Sequence, residues 1–347
     1  MGRRNKKGRP LSGWLILDKH KGMTSTQAVG KAKRLFDAQK AGHAGTLDPL
    51  ATGILPIAFG EATKTMSYAV DGPKAYRFTV RWGIETSTDD TEGEATNTSE
   101  LRPLLSDVES ALDDFIGEIE QVPPQFSAIK VAGERAYDLA RDGETVELKA
   151  RPIIIDDLRV VEQPDEDHIV LEAECGKGTY VRAIARDLGR QLGCYGHVTE
   201  LRRLRVGPFL EQSALTFADL EAELEADADD DDVGLDDDLG HDKEQGSHHR
   251  PDDTADLAVT AALHRSSTEN PLDQFLQPCE FALEDLTEIP LQSGDAASLA
   301  RGQAVLMRGR DAPIFTGPFF ATCRGRLIAI GEADKGTLRP TRVFNLN

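Results

Sequence analysis

The stretch richest in possible chemistry is GHAGTLDPLATGILPIAFGEATK, residues 42–64. It sets Asp48 in a loop bracketed by glycines, and Pro49 biases Asp48 away from helical backbone geometry. A carboxylate on a rigid loop near His43 can serve as nucleophile or base. The same residues also fit a plainer role, an Asx-type turn whose glycines permit tight bends. By residue type alone, Tyr76 suits a core aromatic on a strand, and Tyr180 and Arg182 in GTYVRAIA suit the surface of a helix's first turn. Leu201 fits a packed position, Lys64 a solvated charge and His43 a hydrogen-bonded structural residue. Cys175, Cys194, Cys279 and Cys323 lie far apart without a CxxC pair, so neither a zinc site nor a disulfide framework is expected. His241, His248 and His249 sit in an acidic tract that offers a metal no fixed geometry.

The elements that must position these groups are legible as periodicities. Trp14-Leu15-Ile16-Leu17 reads as a buried strand, and Thr24 or Ser25 can cap a helix carrying Val29, Ala32, Leu35 and Phe36. Residues 76–82 alternate, with Tyr76, Phe78, Val80 and Trp82 on one face and Arg77, Thr79 and Arg81 on the other. Ser106-Asp107-Val108-Glu109 has the form of a capping box, predicting a helix that runs to Gly117 or soon after and includes Ile119. Further strands are expected at 126–131, 145–149, 153–161 and 168–175, and a helix from near Thr179 to a stop at Gly193. Hairpin-like successions outnumber βαβ signatures, so the expected class is α+β, a mixed and mostly antiparallel sheet with flanking helices.

Charge divides the chain. The net charge of −20 and a pI near 4.8 look unsuited to a polyanionic partner. Residues 221–256, however, hold sixteen Asp or Glu against Lys243 and Arg250, a local −14 that leaves −6 for the rest. Residues 1–10 carry five basic groups and no acid, and residues 177–205 carry seven against two acids, so basic surface for phosphates exists locally. Arg202, Arg203 and Arg205, with Lys31, Lys33 and Arg34, are the candidate phosphate contacts. No apolar run approaches the ~20 residues of a membrane span, and the basic N-terminus lacks a secretory apolar stretch. A cytoplasmic protein is expected. After the acidic tract, apolar runs at 304–307, 319–322, 327–330 and 343–344, split by Arg324-Gly325 and Asp334-Lys335-Gly336, suggest a small closed β unit.

The 42–64 segment resembles the signature of the TruB family of bacterial tRNA pseudouridine-55 synthases. GWLILDKHKGMTS at 13–25, PPQFSAIKVAGERAYDLAR at 123–141, GKGTYVRAIARDLG at 176–189 and HVTELRRLRVG at 197–207 follow in that family's order. The likeness covers residues 13 to about 220 and returns more weakly from about 271. It implies a basic tail at 1–12, a pseudouridine synthase domain over 13–224, an acidic insertion over 225–268, a connection over 269–284 and a PUA-like RNA-binding domain over 285–347.

By the same resemblance Asp48 is the catalytic carboxylate, Tyr76 lies against the target base, and Tyr180 and Leu201 line its pocket. Arg182 pairs with the carboxylate, His43 wedges into the RNA as the nucleotide flips, and Lys64 lies near the RNA backbone. The implied activity converts uridine-55 in the TΨC arm of tRNA to pseudouridine without metal or organic cofactor. The implied partner is tRNA, with no protein partner and a monomeric enzyme. Intact Asp48, Tyr76, Tyr180 and Arg182 count against a scaffold kept only for binding RNA. The match to the stand-alone pattern counts against the related guide-RNA-dependent branch.

Overall fold

The computed structural model of the chain describes residues 7–127, 130–131, 134–135, 148–232, 270–307 and 316–346. Its main sheet starts with β1 (Gly13–Lys19), antiparallel to β3 (Thr52–Phe59). The short β2 (Ala41–His43) also pairs with β3. The sheet continues through β12 (Gly196–Val206), β4 (Lys74–Trp82), β11 (His168–Cys175), β10 (Arg151–Glu162) and β7 (Gly117–Gln121). Along that path the ladders are antiparallel except where β3 meets β12, a parallel contact at Arg202↔Thr52 and Arg203↔Gly53. Two-stranded ladders join β5 (Ile84–Thr86) to β6 (Ala95–Thr98) and β8 (Lys130–Val131) to β9 (Glu134–Arg135), and β13 (Phe209–Leu210) folds back on β12. The mixed, mostly antiparallel α+β architecture is the one expected.

Helices α1 (Ser25–Leu35), α3 (Leu105–Leu112) and α4 (Val181–Gln191) cover one face of this sheet, and the short α2 (Met66–Asp71) packs on the other. There Leu15, Leu17, Phe78, Val80 and Leu171 pack against Ala28, Phe36, Val108, Leu112, Ile184 and Leu188. The opposite parity of β1, Trp14 and Ile16, packs with Ile54, Val206 and Phe209 against Leu283, Phe320, Leu327, Ile330 and Phe344. Strand β1 is therefore buried on both faces, which is why it reads as a continuous apolar run and not an alternation. Burial of each such side chain contributes roughly 1.5–3 kcal/mol, so the C-terminal unit and the main sheet share a core.

That unit is a five-stranded sheet in the order β14 (Thr287–Pro290), β16 (Gly317–Cys323), β17 (Arg326–Asp334), β18 (Thr337–Val343), β15 (Val305–Leu306), with α6 (Ser293–Ala300) packed on it. Its hairpins turn at Arg324-Gly325 and Lys335-Gly336, four residues with positive φ, as tight turns matched to strand twist require. Between the two sheets, α5 (Phe217–Asp232) begins with a box in which Thr216 accepts from the Asp219 N–H and its own N–H donates to the Asp219 carboxylate. The acidic tract thus starts as helix; residues 233–269, with His241, His248 and His249, lie outside the described residues.

Two local expectations need correction. Helix α3 starts at Leu105 with Leu104 in the cap position and no side-chain cap, so Ser106 lies inside it. It gives way after Leu112 to a 3₁₀ turn, and Gly117, at φ 98°, starts β7, where Ile119 pairs with Ile153. The spacing of Phe115 and Ile119 fits a helix, but a free edge of β10 claims the chain. Of the strand expected at 126–131 only 130–131 is strand among the described residues. Of that at 145–149, residues 145–147 lie outside them and 148–149 are not strand. The capping residue of α1 is Thr24, in a reciprocal box with Gln27, as expected.

At the parallel junction Gly53 has φ 95°, and a Cβ there would collide with the Arg203 carbonyl and lie 2.9 Å from its nitrogen. Gly53→Ala should therefore destabilise the protein by more than ~2 kcal/mol, read as a lowered urea midpoint at unchanged slope; an unaltered midpoint would disprove this close approach.

Candidate active site

A cleft of about 320 Å³ opens beside β4 and β12, with the 45–48 loop on one side and the start of α4 on the other. Asp48, Tyr76, Tyr180, Arg182 and Leu201 all line it. These five are separated by up to 153 positions in sequence and converge because β4 and β12 are neighbours while α4 packs across them.

The loop is held from several directions. Asp48 carbonyl accepts from the Ala51 N–H at 3.1 Å, closing the turn that Pro49 favours. Asp48 is thus both a turn residue and a cleft residue. The hydroxyl of Ser25, buried at the start of α1, donates to the Leu47 carbonyl and accepts from the Leu47 N–H, each at 2.9 Å. The Gly22 N–H donates to the Pro49 carbonyl at 2.7 Å. From below, the fully buried guanidinium of Arg203 donates to the carbonyls of Ile54 (2.7 Å), Thr46 (3.3 Å) and Gly45 (3.2 Å). With these contacts made, the Asp48 side chain remains 38% exposed and accessible from the cleft.

Arg182 is the electrostatic centre. Its guanidinium lies 2.8 Å from Asp48 Oδ2 and 3.1 Å from Asp90 Oδ2, and donates to the carbonyls of Thr88 (2.9 Å) and Phe126 (3.0 Å). Planar, with five donors, it can hold several acceptors at once where a lysine would be a point charge. It is buried, not a surface residue of the first helical turn. Ahead of it, Gln121 grips the backbone of Tyr180, accepting from its N–H at 2.9 Å and donating to its carbonyl at 3.2 Å. Burial pushes the phenols of Tyr76 and Tyr180 up from their ordinary value, so both stay protonated donors at neutral pH; for Tyr76 the charge of Arg203 partly opposes this. Two lysines stand nearby. Burial pulls Lys74, in the cleft wall, down to about 8, and Lys19, which donates to the carbonyls of His20 and Met23, to about 8 as well.

The remaining candidates lie elsewhere. His43 is half-buried on β2 and does not line the cleft, though Gly45 and Thr46 just beyond it do. Lys64 is tied to Glu61 (2.6 Å) and to the carbonyl of Val343 (2.7 Å), with its ammonium 5.5 Å from the Phe344 ring centre. It clasps the C-terminal strand and does not reach the cleft. Arg203 is a correction to the candidate phosphate set, because it is buried and spent on loop carbonyls. Arg202 pairs with Asp18 and Glu211, Arg205 with Glu174, and Lys31 with Glu221, while Lys33 and Arg34 are exposed. Residue type alone did not mark Lys19, Lys74 or Arg203 as buried; strand parity does, since each continues an inward-facing series, Leu15-Leu17-Lys19, Lys74-Tyr76-Phe78 and Leu201-Arg203.

Comparison with known proteins gives the cleft its class. Chains of similar fold occur in a Cbf5-Nop10-Gar1 complex (TM-score 0.66, 23% identity, 96% of this chain and 84% of that one) and in an H/ACA RNP bound to a substrate RNA containing 2'-deoxyuridine (TM-score 0.68, 21% identity, 99% and 92%). Residues 33–181 match the N-terminal domain of TruB family pseudouridylate synthases, and residues 182–240 match the tRNA pseudouridylate synthase B C-terminal domain. The fold is that of a pseudouridine synthase. The chain is 51% identical over 345 residues to the tRNA pseudouridine synthases B of Brucella anthropi and Mesorhizobium japonicum, covering 99% of this chain and of each relative. It belongs to the TruB family of pseudouridylate synthases. Coverage that complete on both sides also means that the acidic tract adds no appreciable length relative to these two.

Replacing Arg203 with Met would leave the Gly45, Thr46 and Ile54 carbonyls without their donor. Arg203→Met should cost about 1–3 kcal/mol, the penalty for orphaning the buried Ile54 carbonyl, since the Gly45 and Thr46 carbonyls are only partly buried, visible in urea unfolding; stability within error of wild type would show that the loop does not depend on it.

Proposed function

We propose that this enzyme converts uridine-55 in the TΨC arm of tRNA to pseudouridine, with Asp48 as the catalytic carboxylate. The observation that carries the reading is the exposed Asp48 side chain, paired to Arg182 at 2.8 Å inside a cleft that also holds Tyr76, Tyr180 and Leu201. The names of the relatives supply the tRNA substrate, and no described helix is long and apolar enough to cross a membrane.

The reaction breaks the C1′–N1 bond, turns the uracil and joins C1′ to C5; N1 gains a proton and C5 loses one. No electrons are exchanged with a cofactor. A carboxylate suits the first half because it can stabilise or trap the cationic sugar carbon, add to the pyrimidine ring, or remove a sugar proton. All three routes require the same placement, a carboxylate held by one side and open on the other, and Arg182 leaves Asp48 in that state. Tyr76 offers a ring face to an unstacked uracil and a protonated phenol for proton transfer at C5. Leu201 closes the apolar side of the cleft. The cleft admits one base only after it leaves the RNA stack, so flipping precedes chemistry. In this reading His43, two residues before the cleft begins, enters the gap left in the RNA loop.

Incubation with an unmodified tRNA transcript, followed by mapping of pseudouridine, tests the site of reaction; product at another position, or none, would overturn the substrate assignment. Asp48→Asn should abolish product while tRNA affinity changes no more than about threefold, since one near-isosteric change cannot cancel many phosphate contacts. Tyr76→Phe should keep affinity and lower turnover roughly 10–100-fold if the phenol transfers a proton; wild-type turnover would reduce Tyr76 to stacking.

A further inference from the structure

Helix α4 carries arginine at every fourth position, Arg182, Arg186 and Arg190, so the three share one face. Three acids of the segment after β4 meet them in order. Arg190 pairs with Glu85 at 2.6 Å, Arg186 with Asp89 at 3.0 Å and Arg182 with Asp90 at 3.1 Å. Only Arg182 also reaches Asp48. Behind it, Arg186 and Asp89 are both buried, and Arg186 donates to the Val122 carbonyl at 2.8 Å, just as Arg182 donates to that of Phe126. Successive arginines therefore tie the same two segments, 88–90 and 122–126, to α4, and the next residue after them, Ser127, lines the cleft. Asp89 holds φ 60°, a left-handed backbone open to aspartate but uncommon among other non-glycine residues.

Stability alone is a weak account of such a pair, because desolvating two charges offsets most of their attraction. Position is a better one. We propose that the Arg186–Asp89 pair is a positioning device for the reaction: it fixes the 88–90 turn and the 122–126 wall against α4, and so sets where Arg182 holds Asp48. This rests on the reading of Asp48 as the reacting carboxylate. Neither Arg186 nor Asp89 touches the substrate.

Burial pushes the Asp89 carboxyl up to about 6, against the pull of Arg186 and Arg182. Arg182, Arg186 and Arg190 face it from α4 and Glu85 from β5. Asp90 adjoins it, Asp187 pairs with Arg186, and His197 of β12, pulled below its usual value by burial, interacts with Asp90. The sign follows directly. Below about 6 Asp89 takes up a proton and Arg186 keeps only Asp187 as a charged partner, so α4 loses its charged tie to the 88–90 turn at this point and the chemical step slows; as pH rises through 6 the rate recovers.

The test is single-turnover pseudouridine formation on an unmodified tRNA transcript, enzyme in excess, between about pH 5 and pH 8. Asp89→Asn should react about tenfold more slowly at the upper end, lack the acid limb near 6, and bind tRNA within about twofold of wild type. Arg186→Lys should slow the step in the same way. If Arg186→Lys does not fold, the near-isosteric Asp89→Asn still decides. A wild-type rate and acid limb in Asp89→Asn would overturn the proposal, leaving the pair a structural support. So would a limb that survives there but vanishes in His197→Gln. Asp48→Asn run alongside separates the two readings, because wild-type product from that variant would defeat the Asp48 assignment itself whatever Asp89→Asn does.

Discussion

The parallel contact between β3 and β12 is the constraint on which the cleft depends. Every other neighbour pair along the main sheet is antiparallel, and here two residues from each strand meet side by side, with Gly53 set against the backbone of Arg203. That approach places the Arg203 side chain under the loop that precedes β3, where its donors reach the Gly45 and Thr46 carbonyls of the loop and the Ile54 carbonyl of β3 itself. One buried guanidinium thus ties the loop to the strand that follows it, and a buried acceptor left without such a donor costs about 1–3 kcal/mol. The glycine permits the contact, the contact aims the arginine, and the arginine shapes the loop that presents Asp48.

The cations around the cleft are spent largely inside the protein. Arg182, Arg186 and Arg203 are buried, as are Lys19 and Lys74, and each has carbonyl or carboxylate partners. Their function is to position acceptors, which explains how a chain of net charge −20 can still build an electropositive cleft. Charge count over the whole molecule says little about such a site, since field at a surface point depends on charges within about a Debye length, ~8 Å at physiological salt. The acids that balance the arginines are close by and paired, while much of the excess lies in the acidic tract that begins within α5.

Much of the cleft was legible because its residues sit in long, ordered motifs. Asp48, Tyr76, Tyr180, Arg182 and Leu201 come together as the motif order implied. Elements with strong local signals, the Thr24 box, the 76–82 alternation and the two glycine hairpins, also formed where their chemistry indicates. What local pattern could not supply were outcomes decided by partners distant in sequence. Ile119 has helical spacing but was captured by a strand edge from β10, and Ser106 lost its cap role to a helix that starts two residues earlier than expected. Arg203 sits in a run of arginines that looks solvated; the parity of β12 sends it inward and Arg202 outward, and across a register shift between Arg203 and Arg205 the latter too meets a surface carboxylate. Lys64, read as near RNA, has its partner 279 positions away on the last strand.

That last contact bears on how the two sheets work together. Lys64 and Glu61 lie in the 3₁₀ turn that directly follows β3, and they bond the Val343 carbonyl and the Asn345 N–H at the end of β18. The same β3 is preceded by the Asp48 loop and lies against the shared core of Trp14, Ile16 and Phe344. A strand eight residues long thus has the Asp48 loop at one end and the C-terminal sheet fastened to the other. RNA held by the C-terminal sheet would be registered to Asp48 through one strand and not through a flexible linker. Fixed spacing of this kind lets binding energy from a remote part of a large substrate be used to orient the reacting nucleotide.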